Sequence, residues 1–266
     1  MSRAKLEWLM ALEMLRFSRR HLRYAKVALA LYLIGIKVGR RAYVARLGFV
    51  FLQVIDDLLD GDRACAIEPH DEIAGLVSRA ELGRFDLARP LDRIGAGLWV
   101  ELGKGSAGEE GVAKTLDLIR VMMRDRKRVM NGEIWSEQEL RGHHRETFEN
   151  SLDLTLIALE SPLRARDATA TMDLLGWCST MRDLKEDLQK GLSNVPKEVA
   201  PGAAIEVGWL KNPSGGAWIE REDDRAAELL RLAETQLHEL RGRPGRGVFT
   251  MFVKSIASFH VRRLNF

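Results

Sequence analysis

Cysteine is nearly missing from this chain: Cys65 and Cys178 are the only two in 266 residues. That is too few for a disulfide framework, and neither belongs to a metal-spaced set, so a small stapled secreted scaffold is excluded and a cytoplasmic location is expected. Long apolar runs are missing as well. The longest, from Val27 to Ile36 between Lys26 and Lys37, is ten residues, against about 20 needed to cross a bilayer as a helix. A buried core helix is expected there. Charge of one sign is also lacking, since 41 basic residues face 38 acidic ones for a net +3. No general electrostatic case for nucleic acid follows, and partners must be argued from local clusters. The first residues mix charges of both signs with apolar ones, without the unbroken apolar stretch of a secretory signal, so no export is expected.

What is present is a composition 46% hydrophobic and 30% charged, enough for a large packed interior. Apolar residues recur at helical spacing, as in Leu6, Leu9, Met10, Met14 and Phe17, or Leu116, Ile119, Met122 and Met123. Period-two alternation is hard to find. Helices are expected over 4–17, 20–39, 41–60, 70–80, 85–99, 111–131, 136–160, 165–190, 222–241 and 246–262, in an all-α bundle. With no linker-like stretch, one domain over 1–266 is expected. Loops are marked by Gly61-Asp62-Arg63, Gly103 to Gly111, Pro196 to Gly216 and Gly242-Arg243-Pro244-Gly245.

Two acidic clusters interrupt apolar helical patterns. In Asp56-Asp57-Leu58-Leu59-Asp60-Gly61, Asp56 and Asp60 are four apart and share a helix face about 6 Å apart, with Asp57 turned roughly 100° away. Carboxylates repel at that spacing, and a helix end before Gly61 disfavours them further, so a cation is expected to offset them. In Arg182-Asp183-Leu184-Lys185-Glu186-Asp187, Asp183 and Asp187 repeat the spacing, Glu186 lies beside them, and Gly191 again marks the end. Hard cations such as Mg²⁺ take carboxylate oxygens and complete their shell with water and substrate phosphates. The expected metal ligands are Asp56, Asp57, Asp60, Asp183, Glu186 and Asp187, and the four aspartates Asp56, Asp60, Asp183 and Asp187 are the expected catalytic set.

Arg182-Asp183-x-x-Glu186-Asp187-x-x-x-Gly191 followed by Pro196 resembles the second aspartate motif of the squalene/phytoene synthase family, and Phe49 to Asp60 is similar to the first. The resemblance covers about residues 15 to 200. It implies the isoprenoid (terpenoid) synthase type of helical bundle with a central cavity, Mg²⁺ as cofactor, and a prenyl diphosphate whose allylic C–O bond ionises as the diphosphate leaves. The resemblance further implies head-to-head condensation of two C15 or C20 prenyl diphosphates. Departures from the pattern are Gln53 where the family has an arginine, Phe49 where it has a tyrosine, and Gly176-Trp177-Cys178-Ser179 in place of Gln-x-x-Asn. Ser18, Arg19 and Arg20 fall at the family's phosphate-contacting stretch, and with Phe49, Gln53, Arg182 and Lys185 they form the expected substrate-binding set.

Other features are read more plainly. Phe49, Phe51 and Phe148 at helical spacing read individually as core. Arg124-Asp125-Arg126-Lys127-Arg128 reads as an exposed charged turn that can meet an anionic membrane surface, which would give peripheral association. His143 and His144 read as surface or capping residues, and Gly103-Lys104-Gly105-Ser106 lacks the glycine and strand of a P-loop. Three readings compete: the two-substrate transferase, a terpene cyclase or diphosphate lyase acting on one substrate, and a non-catalytic assembly or binding protein of the same fold. A monomer or homodimer fits any of them.

Overall fold

A computed structural model describes residues 2–20, 32, 39–189, 191–199, 205 and 207–264. Among these residues there are nine α-helices and no strand: α1 Arg3–Arg20, α2 Arg40–Leu59, α3 Pro69–Glu81, α4 Pro90–Leu102, α5 Gly108–Asn131, α6 Glu137–Ala158, α7 Thr169–Gln189, α8 Pro213–Glu239 and α9 Arg246–Leu264. Short 3₁₀ turns fill Ala165–Ala168 and Val207–Lys211. The all-α expectation holds. The helix expected over 20–39 lies largely outside the described residues.

Several boundaries move because proline opens helices here. Pro69, Pro90 and Pro213 each stand at the first helical position, where the missing N–H is not needed and φ is already set. Hence α4 starts at Pro90 rather than 85, and α8 starts at Pro213 rather than 222. The expected loop from Pro196 to Gly216 accordingly contains a 3₁₀ turn and the first residues of α8.

The helices group into two compact units, 1–126 with 153–161 and 127–152 with 162–266. Nothing in the composition marks these borders, which fall inside α5 and α6 and after Ser161. In the first unit α1, α2 and α4 pack on one another, with α3 against α2 and α4. Leu6, Met10, Met14 and Phe17 of α1 meet Leu47, Val50, Phe51 and Val54 of α2 and Leu98 of α4 in one core. Gly95 allows this closeness, since a Cβ there would lie 2.8 Å from Phe85 and 2.9 Å from Phe51. In the second unit α7, α8 and α9 pack against one another. Buried Trp177 of α7 sits among Phe259 and His260 of α9, with centroids 5.7 and 5.4 Å away.

The candidate acidic site

In the first unit α2 ends at Leu59 and Asp60 is its exposed C-cap, so the acidic cluster occupies the negative end of the helix dipole. Gly61 takes φ +78°, its N–H donating to Leu58 O at 3.2 Å, and the Arg63 N–H donates to Asp57 O at 2.9 Å. The turn is pinned to α1: the Arg63 guanidinium grips Glu13, Nη1 to Oε2 at 2.8 Å and Nη2 to Oε1 at 3.1 Å. Glu13 is only 2% exposed and also accepts from Arg16 at 2.7 Å. Glu13 stands between Met10 and Met14 in the apolar spacing of α1, where nothing local marks it as the partner of Arg63.

Asp57 is buried, 6% exposed, and Asp56 half-buried. Gln53 bridges them, its Nε2 donating to Asp56 Oδ2 at 3.2 Å and to Asp57 Oδ1 at 3.1 Å. Burial above all, then the charges of Asp60, Asp57 and Asp125, push the Asp56 carboxyl from 3.8 to about 7, against a smaller lowering by the Gln53 hydrogen bond. Asp125 of α5 thus joins the cluster's field, which its place in a charged run concealed.

In the second unit α7 closes similarly. Gly191 takes φ +77°, its N–H donating to Leu188 O at 3.3 Å, while the Leu192 N–H donates to Asp187 O at 2.9 Å, a Schellman pair. Asp183 and Asp187 are half-buried; Lys185 and Glu186 are exposed. Arg182 is the neighbour of Asp183, its Nε donating at 2.9 Å. The Asp187 Oδ2 accepts from Asn194 Nδ2 at 3.0 Å, and Asn194 Oδ1 accepts from Arg128 Nη2 at 3.0 Å.

Arg128 corrects the sequence reading. It is not part of an exposed turn: it is 2% exposed, with its guanidinium 4.3 Å over the Trp135 ring. Only Arg124 and Lys127 of that run are exposed. His143 and His144 stand inside α6 and so cap neither of its ends; both are half-buried, His143 against Trp135 at 5.1 Å and His144 against Phe148 at 6.4 Å. Gly176 makes room here, since a Cβ on it would meet His144 Cβ at 2.8 Å.

No family model, curated protein or solved structure matches this chain. The motifs are therefore weighed on their own residues.

Of the expected substrate-binding residues, Gln53 contacts the first cluster's carboxylates and Arg182 contacts Asp183 of the second. The Ser18 hydroxyl donates to Met14 O at 2.8 Å within its own helix, and Arg19 is exposed. The Arg20 side chain lies outside the described residues. Phe49 packs edge-on to Phe17 at 6.4 Å, and Phe51 is fully buried, as core residues do. Arg40 and Arg41 are tied to Glu160 at 2.8 and 2.9 Å.

Among the described residues no group of three or more His, Cys, Asp or Glu side chains is placed to hold a metal ion. The donor chemistry nevertheless suits Mg²⁺, which takes one or two carboxylates and leaves its other positions to water and phosphate oxygens. Burial and then the neighbouring carboxylates raise the Asp56 carboxyl, and a cation beside it would offset the part due to charge.

Proposed function

We propose that this chain processes prenyl diphosphates with Mg²⁺, in a helical bundle of the isoprenoid synthase type. One observation carries the reading: the acidic helix ends at Asp56–Asp60 and Asp183–Asp187 share one construction, an i,i+4 carboxylate pair closed by a glycine at φ +78° or +77°. Asp56, Asp57 and Asp60 would be the ligands of a cation at the first acidic helix end, and Asp183, Glu186 and Asp187 those at the second. Bound Mg²⁺ would supply the positive charge that a departing diphosphate requires. The chain's own part is orientation. Gln53 fixes the carboxylates of Asp56 and Asp57, and Asn194, backed by buried Arg128, fixes that of Asp187.

Head-to-head condensation of two prenyl diphosphates is the first reading. Gln53 favours a second, a cyclase or lyase acting on one substrate. Its amide, neutral where the family has a guanidinium, is engaged with two carboxylates and offers no cation to a second diphosphate. Incubation with farnesyl or geranylgeranyl diphosphate and Mg²⁺, read by mass spectrometry, separates the two: a product with two prenyl chains means condensation, one chain means the second reading. Asp56→Asn and Asp183→Asn should each lower turnover by about 10²–10³. Wild-type chain that consumes neither diphosphate leaves the non-catalytic reading standing. Greasy substrates of this kind reside in bilayers, so peripheral membrane contact belongs to the same proposal.

A further inference from the structure

We infer that the outward face of α1 is a docking surface for an anionic bilayer. The inward face, Leu6, Met10, Met14 and Phe17, is buried in the core. On the opposite face Trp8, Leu12 and Leu15 recur at i, i+4 and i+7 and are 68%, 36% and 50% exposed. A soluble core has no use for an indole and two leucines held in water, and such a stripe marks a surface that is covered in use.

Charge decides what covers it. Every exposed charged side chain described on α1 is basic: Arg3, Lys5, Arg16 and Arg19. Its two acids are turned away, Glu7 accepting from Arg46 at 2.8 Å and Glu13 buried against Arg63. An apolar stripe with tryptophan and flanking cations, without an exposed acid, is the composition of a helix lying in the interface of a negatively charged membrane. Beside the stripe a shallow groove is lined by Trp8, Leu12, Lys5 and Arg93. Arg93 adds a second cation to that groove beside Lys5, so the groove suits a lipid headgroup phosphate. The exposed remainder of the 124–128 run, Arg124 and Lys127, has a single large apolar neighbour described as exposed on α5, Met130, against the three of the α1 stripe. The inference therefore places the contact on α1, whether or not the chain turns over diphosphates.

Co-sedimentation of the full chain with vesicles tests this. Binding to mixed phosphatidylglycerol and phosphatidylcholine vesicles is expected, with much weaker binding to phosphatidylcholine alone and loss at high salt. Trp8→Ala/Leu12→Ser/Leu15→Ser should abolish it, and Lys5→Glu/Arg19→Glu should weaken it at least tenfold, since each cation near the surface contributes about fivefold. These side chains are exposed, and unchanged circular dichroism would show that both variants fold. Brominated lipid should quench wild-type fluorescence but lose that part of the effect in Trp8→Phe. Failure to bind either vesicle, equal binding to neutral vesicles, or binding that survives the triple variant overturns the inference. So does a wild-type dimer that the triple variant converts to monomer, which would give the face to a second copy of the chain.

Discussion

At Asp56 the geometry makes a pH-dependent demand. Its folded carboxyl titrates at about 7, above the ordinary 3.8, because burial and the charges of Asp60, Asp57 and Asp125 oppose ionisation. A raised acid means that the folded chain binds this proton more tightly than the unfolded chain. The cost of ionisation is therefore absent below pH 3.8, grows between 3.8 and about 7, and is complete above 7. In metal-free buffer Asp56→Asn should match the parent's melting temperature near the acid limit and exceed it above neutrality, by a difference on the order of 1 kcal/mol or more. Melts across that range with a chelator present check it. A gap that stays constant with pH would mean that the carboxylate is not under this strain. Residue types and spacing were legible here, and Gln53 lies one helical turn before Asp56, but the depth of the effect was not: Asp125 acts through a position that only the fold brings to Asp56. Arg128 hid for the same reason, since its burial depends on Trp135 and Asn194.

Helices were the most legible elements, because α1, α2 and α7 each alternate core and surface at 3.6-residue spacing along an unbroken pattern. Their ends were less so. Proline was read as loop punctuation at 213, whereas it opens α8, a double meaning that sequence alone leaves open unless the following apolar spacing is followed through. The C-terminal ends of the two acidic helices were read correctly from their glycines. Both Gly61 and Gly191 hold positive φ, and a Cβ at either would meet nothing within 4 Å. The cost of alanine there is thus conformational alone. Gly61→Ala and Gly191→Ala should each destabilise the chain by about 1–2 kcal/mol, and asparagine should cost less. Urea unfolding of the four variants tests this. An alanine as stable as glycine would show that the left-handed turns are not kept in solution.

On the scale of the whole chain, helical character and a span-free hydropathy were plain from the sequence; among the described residues no helix is long and apolar enough to cross a membrane. Grouping into two units was not legible, since its borders fall within continuous helices. If Mg²⁺ and diphosphate supply ligands to each other at these acidic ends, the two should stabilise the chain together by far more than the sum of each alone, with about 2.7 kcal/mol reached at a hundredfold excess over the dissociation constant. Thermal melts with each ligand and with both measure it, and additive shifts would sink the metal–diphosphate reading.

The contact between Gly176 and His144 also constrains how this sequence can change. Any side chain at 176 would bring its Cβ within 2.8 Å of His144 Cβ. Drift toward a side chain there is therefore ordered: glycine, which alone lacks that Cβ, has to appear at 144 first, and the reverse sequence of steps passes through a chain in which one of the two residues has to shift. Two substitutions that look independent on paper are one coupled step in the history open to this protein.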